Sequence, residues 1–161
     1  MKIAALALLM LPAAALAQDD WLYTPMVEAC LASGDRLCIG DAATICMADE
    51  DDGETTFGMM TCLSAEAQVW DDLLNAAYAK ARDFAREMDA GEAEFFPEFA
   101  IRADQVQAAQ RAWIGFRDAN CAMQYGLWGA GSMRQIAGAD CRLRMTADRT
   151  FDLRDYYSSV P

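Results

Sequence analysis

The chain has no histidine in 161 residues, and only 13 Lys and Arg against 25 Asp and Glu. The first absence removes Ser-His and Cys-His nucleophile chemistry, which needs an imidazole base. Because no C-x-x-C pair occurs either, the usual zinc ligand sets are also missing, and no metal or cofactor is expected. The shortage of positive charge, a formal net charge of −12, argues against nucleic acid or anionic lipid as partners. It favours a cationic partner instead, approached at a rate that salt reduces. Acidity that merely keeps an exported protein soluble is the plainer alternative. Long apolar runs are absent too: the stretch Ile3 to Leu11 falls well short of the roughly 20 residues of a membrane span.

That short run fits a different role. Lys2, the apolar stretch and the small-residue exit Ala15-Leu16-Ala17 before Gln18 make residues 1–17 an expected secretory signal, cleaved near Ala17. Residues 18–161 are then expected to form a single domain, since no repeat, linker or composition break divides them. Its location would be the periplasm or the exterior, and loss of Lys2 makes it one unit more negative. All six Cys lie in this part. An even number in an exported chain argues for three disulfides.

Hydrophobic spacing predicts an all-α chain. From Phe57 to Met88 the apolar positions Met60, Leu63, Ala67, Trp70, Leu74, Ala77, Ala81, Phe84 and Met88 alternate at three and four, which describes one long helix. Thr55 or Thr56 can cap its start and Gly91 marks its stop. A second long helix is expected to begin at Pro97 and end at Gly126, with Phe99, Val106, Trp113 and Asn120 repeating at seven beside Ala109, Phe116 and Met123. The two stripes imply an antiparallel hairpin. Gly129, Gly131 and Gly138 keep the next segment irregular, and a last helix, about Ala139 to Tyr156, covers the hairpin with Cys141, Met145, Leu153 and Tyr156. Short helices, Pro25 to Leu31 and Leu37 to Met47, precede the hairpin, and Cys38 and Cys46 would share a face of the second.

The acidic run Asp49, Glu50, Asp51, Asp52 and Glu54 raises the question of calcium. Gly53 falls at the fifth place from Asp49, where an EF-hand needs the sixth, and Met60 occupies the place of the bidentate Glu. A solvated loop, or a patch for a basic partner, remains. Paired carboxylates of a carbohydrate hydrolase are compositionally available, yet no acidic pair stands isolated on an apolar surface. The protein is therefore read as a non-enzyme.

The most distinctive pattern is Ala109 to Cys121, AQRAWIGFRDANC, followed by GAGS at 129–132, Cys141, Thr146 and Arg149. Upstream, Asp71, Leu74, Asn75 and Tyr78 supply D-x-x-L-N-x-x-Y after Cys62. From about Cys46 to Leu153 the chain resembles the LprI-type lysozyme inhibitors. The resemblance implies a small, helical, disulfide-clipped envelope protein that binds and inhibits a lysozyme, expected to be a cationic c-type enzyme, by stoichiometric binding. Two other functions stay open: an envelope module that binds a different protein or a cell-wall fragment without inhibiting, and a carbohydrate hydrolase.

Within that frame Cys46–Cys62 and Cys121–Cys141 match the family's usual four cysteines, and Cys30–Cys38 is an addition. Each pair joins the end of one expected helix to the start of the next, although Cys30 has Cys46 and Cys62 as alternatives. Closing the Cys121 to Cys141 loop would stabilise by roughly 3 kcal/mol in the chain-entropy picture. The segment inside it offers Trp128 as an apolar anchor, Gly129 and Gly131 as flexible points and Ser132 as a hydrogen-bonding group for a concave partner. Alternatively the loop folds back and Trp128 joins the core. Asp71, Asn75, Tyr78, Gln110, Arg117, Asp118, Thr146 and Arg149 are expected to form a polar lattice that fixes helix register. In it Arg117 stacks on Trp113 or bonds the C-terminal loop, and Asp118 has Arg149 and Arg111 as alternative partners.

Overall fold

A computed structural model describes residues 21–158; the expected signal segment lies outside that range. Five α-helices form in chain order: α1 Thr24–Ser33, α2 Asp41–Asp49, α3 Thr56–Glu92, α4 Arg102–Gly126 and α5 Met133–Ser158. Single 3-10 turns at Arg36–Cys38 and Pro97–Phe99 complete the secondary structure, with no strand among the described residues. At 1.5 Å per residue α3 is about 55 Å long and acts as the spine. Thr55 caps it, its hydroxyl accepting from the Gly58 amide at 3.0 Å. Gly58 also permits a close crossing, because a Cβ there would stand 2.1 Å from the carbonyl oxygen of Asp52.

Direction follows from the contacts. Asp89 near the end of α3 meets Arg102 at the start of α4, and Asp71 meets Arg117, so these two helices run antiparallel. Trp70 packs on Phe151 at 5.6 Å and Phe84 on Tyr156 at 5.7 Å, so α5 returns parallel to α3. One apolar cluster joins α1, α2, the first half of α3 and α5 through Val27, Ala43, Leu63, Trp70, Leu143 and Phe151. A second continues along α3 with Leu74, Ala77, Ala81 and Ala85 against Val106 and Leu153. Burial of Phe151 alone contributes up to about 3 kcal/mol.

The hairpin forms, but the spine packs most extensively on α5. The reason lies in side-chain supply. Only Val106, Gln110 and Cys121 of α4 are buried, whereas α5 contributes Leu143, Thr146, Ala147, Thr150, Phe151 and Leu153. Of the stripes expected inside the hairpin, Val106, Trp113 and Asn120 face inward; Phe99, Ala109, Phe116 and Met123 are exposed. In α5, Tyr156 is exposed and Phe151, not named by the spacing, is the central residue.

Three boundaries differ from the periodicity. Pro97 opens a separate 3-10 turn, and α4 starts at Arg102 because the Asp89 carboxylate of α3 accepts from the amides of Arg102 and Ala103, both at 2.9 Å. Burial works to raise the Asp89 pKa, but these two bonds and the Arg102 guanidinium outweigh it and hold it below the usual carboxylate value. The last helix begins at Met133, with Gly138 inside it. Cys38 lies in the 3-10 turn ahead of α2, so it does not share a helix with Cys46. Three disulfides join the elements: Cys30–Cys38, Cys46–Cys62 and Cys121–Cys141, with Cα separations of 5.7, 5.8 and 5.5 Å. Arg36 anchors the first turn to α5 through Asp148 and Asp152.

Candidate functional site

At the α4–α5 turn the chain reverses in few residues. Gly129 adopts φ +52°, in the left-handed region that favours glycine, and the Gly131 amide donates to the Trp128 carbonyl at 2.9 Å. Behind the turn, Cys121–Cys141 clips the last turns of α4 to α5, with the Met145 sulfur 3.8 Å from both disulfide sulfurs. The Asn120 amide donates to that same Met145 sulfur at 3.2 Å. Tyr125 leans across Gly138, where a Cβ would sit 3.2 Å from the ring, and Arg134 covers the ring at 5.5 Å. A side chain at 138 would therefore press on the Tyr125 ring.

The tip itself is apolar and open. Leu127 is 76% exposed and Trp128 46%, so Trp128 is not a core residue. Gly129, Gly131 and Ser132 are exposed beside it, and Met133 follows. Because α3 and α4 are antiparallel, the acidic turn before α3 lies at this same end of the bundle. Glu50, Asp51, Asp52 and Glu54 are exposed there, and Asp49 accepts from the Tyr23 hydroxyl at 3.0 Å. Gly53 is buried where a Cβ would meet the Met47 carbonyl oxygen at 2.1 Å, so the turn folds tightly and its carboxylates point outward. Among the described residues, no group of three or more His, Cys, Asp or Glu converges as a metal site.

The polar residues separate into two groups that meet on one ring. Arg117 pairs with Asp71 at 3.6 Å and with Asp118 at 3.0 Å, and lies 5.1 Å from the Trp113 centroid. Arg149 lies 5.9 Å from the same centroid and donates to Gln110 at 3.0 Å. Burial lowers the Arg149 pKa from its usual value, and Asp152 opposes that. Asp118 thus bonds its neighbour Arg117 and reaches neither Arg149 nor Arg111. Asn75 is exposed and donates to Asp71, one turn back in its own helix. Tyr78 packs under Arg82, and buried Thr146 accepts through its carbonyl from Thr150. Ser64, Gln68, Asp71, Arg117, Arg142 and Thr146 line an open polar cleft of about 310 Å³.

Two buried polar residues escaped the sequence reading, Thr150, whose hydroxyl donates to the Thr146 carbonyl, and Glu66. Glu66 is 1% exposed and accepts from the amides of Gly40 at 2.9 Å and Ala43 at 2.7 Å, and from the Trp70 indole at 3.0 Å. It caps α2 from a neighbouring helix. The available signal was its position: three past Leu63 and four before Trp70, on the apolar stripe itself.

Among curated proteins, an uncharacterized protein of Rhizobium meliloti (strain 1021) is 26% identical over 99 residues, covering 62% of this chain and 71% of that one. No solved structure gives a significant match. The family model described as lysozyme inhibitor LprI matches residues 46–153, a span that contains the α4–α5 tip, its disulfide and both polar groups on Trp113. The chain belongs to the LprI lysozyme inhibitor family.

Proposed function

We propose that this protein is exported and inhibits a cationic, c-type lysozyme by stoichiometric binding, with the α4–α5 tip seated in the enzyme's substrate cleft. The observation that carries the reading is Leu127 and Trp128, exposed on a turn that Cys121–Cys141 holds in place. A preformed convex apolar tip loses little conformational freedom on entering a concave site. The acidic turn at the same end supplies the approach: a basic enzyme is drawn to exposed carboxylates over roughly a Debye length, about 10 Å at 0.1 M salt. Trp128 fills the cleft, Gly129 and Gly131 allow the backbone to come close, and Ser132 offers a hydroxyl.

The test is clearing of bacterial cell walls by a c-type lysozyme in the presence of the folded, oxidised protein. Turnover is expected to fall in proportion to added protein up to one equivalent, with inhibition weakening as salt rises. Undiminished clearing at a large molar excess contradicts the proposal.

The polar cleft beside Asp71 and Arg142 favours one other reading, a module that retains a cell-wall fragment. Retention of soluble wall fragments together with undiminished lysozyme turnover would select it.

A further inference from the structure

On α4, Ala108, Ala112, Gly115, Ala119, Ala122 and Gly126 recur at alternating intervals of four and three, and all are exposed. At 3.6 residues per turn they occupy an arc of about 80° along roughly 27 Å of helix. Beside them stand two large apolar side chains, Phe116 at 62% and Met123 at 61% exposure. The other flank repeats at seven: Asp104, Arg111, Asp118 and Tyr125, each exposed. No charged residue interrupts the strip between the flanks. A helix that pairs its inner face with α3 and α5 therefore carries a second, coiled-coil-spaced face with no partner among the described residues.

The charges specify what covers it. In an antiparallel pair related by a two-fold axis, each flank meets the same flank of its mate, and residue i opposes j as j opposes i. With the axis at Gly115, Arg111 falls within one residue's rise, about 1.5 Å along the helix, of Asp118 of the other copy and Asp118 of its Arg111, while Asp104 and Tyr125 approach in the same way. Around that axis Ala108 meets Ala122 and Gly115 meets itself, while Ala112 and Ala119 stand about 1.5 Å out of step. The small residues and the charges thus centre within about one residue of each other. Small residues let two backbones approach closely, and Phe116 and Met123 close one edge of the seam.

We infer that α4 is a self-association face, and that the protein forms an antiparallel dimer through it. The inference goes beyond inhibition and is tested without lysozyme. Trp128 lies thirteen residues from the axis, about 20 Å along the helix. The dimer therefore carries its two tips at opposite ends, each free to take an enzyme molecule. A single-helix face sits at the small end of specific interfaces, near 1,200 Å² in total, so the pairing is weak and reversible.

Sedimentation equilibrium of the oxidised protein from about 1 to 200 µM reads this directly, since interfaces of that size dissociate in the range. The weight-average mass is expected to rise toward twice the protomer's. Among the described residues Arg111 is exposed and makes no ion pair, so Arg111→Asp leaves the fold intact. It should raise the dissociation constant at least about tenfold, as should Asp118→Arg, by opposing like charges. The double reversal R111D/D118R should recover to within about threefold of the parent. Ala119→Arg, at an exposed position, should leave only monomer with an unchanged thermal midpoint. A parent that stays monomeric, single reversals that dimerise like it, or a double reversal that does not recover would each overturn the inference.

Discussion

Replacing Glu66 by alanine is expected to cost about 4 kcal/mol of stability, because three donors lose their acceptor in a site that water does not reach. The carboxylate is almost wholly covered and receives the Gly40 and Ala43 amides and the Trp70 indole. Among the described residues no Lys or Arg pairs with it; the first turn of α2 and one indole N-H supply its compensation. The N-terminal end of a helix suits an anion, since its free amides point outward with a partial positive charge. Alanine leaves those three hydrogens without partners and opens a void against Trp70, in the apolar cluster shared by α1, α2, α3 and α5. Glu66→Gln keeps an oxygen acceptor and should cost roughly half as much. For a domain of this size the alanine variant should lose about 10 °C in thermal midpoint, read by circular dichroism. A loss under about 3 °C would mean that the carboxylate is not the cap described.

The second large effect concerns binding. Trp128→Ala is expected to weaken lysozyme inhibition by about 100-fold, near 3 kcal/mol, the range seen when a central aromatic anchor is truncated. The indole is about half exposed, so its removal should leave the thermal midpoint nearly unchanged. Trp113 provides the contrast. It is packed between Arg117 and Arg149, so truncating it should unsettle the fold whether or not a partner is present. An inhibition constant for Trp128→Ala equal to the parent's would remove the tip from the interface. Loss of inhibition in parallel with loss of stability would assign Trp128 a structural role instead.

Much of the architecture was legible because its signals are local. The alternation from Leu63 to Ala81 describes the buried face of α3, and all six cysteines pair between elements adjacent in sequence. What escaped depends on distant partners. Gly138 reads as a breaker until Tyr125, from another helix, is seen to lie close over its α-carbon. Pro97 reads as a helix start until Asp89 of α3 is seen to cap Arg102 and Ala103. The two stripes of α4 look equivalent in sequence. Which one faces inward was decided by α5, whose Leu143 and Phe151 take the space along α3 that a second face of α4 would otherwise fill.

At the candidate site, the clip and the glycines were legible and the setting of Trp128 was not, since an aromatic residue between glycines suits a core or a surface equally. Arg117 stacks on Trp113 as its spacing suggests, four residues on along one helix. Asp118 turned to Arg117 because that guanidinium is adjacent, whereas Arg111 projects on the exposed face. The placement of the acidic turn at the same end as the tip required knowing that α3 and α4 run antiparallel.

Occupation of the enzyme's cleft by the α4–α5 tip is tested most directly by competition. Affinity of the oxidised protein for a c-type lysozyme should be measured by calorimetry with and without saturating N-acetylglucosamine trisaccharide, which fills that cleft. The account predicts one tip per enzyme molecule and an apparent affinity that falls by the factor expected for mutually exclusive binding. Binding of undiminished strength to the sugar-filled enzyme, or no binding to the empty one, would contradict it.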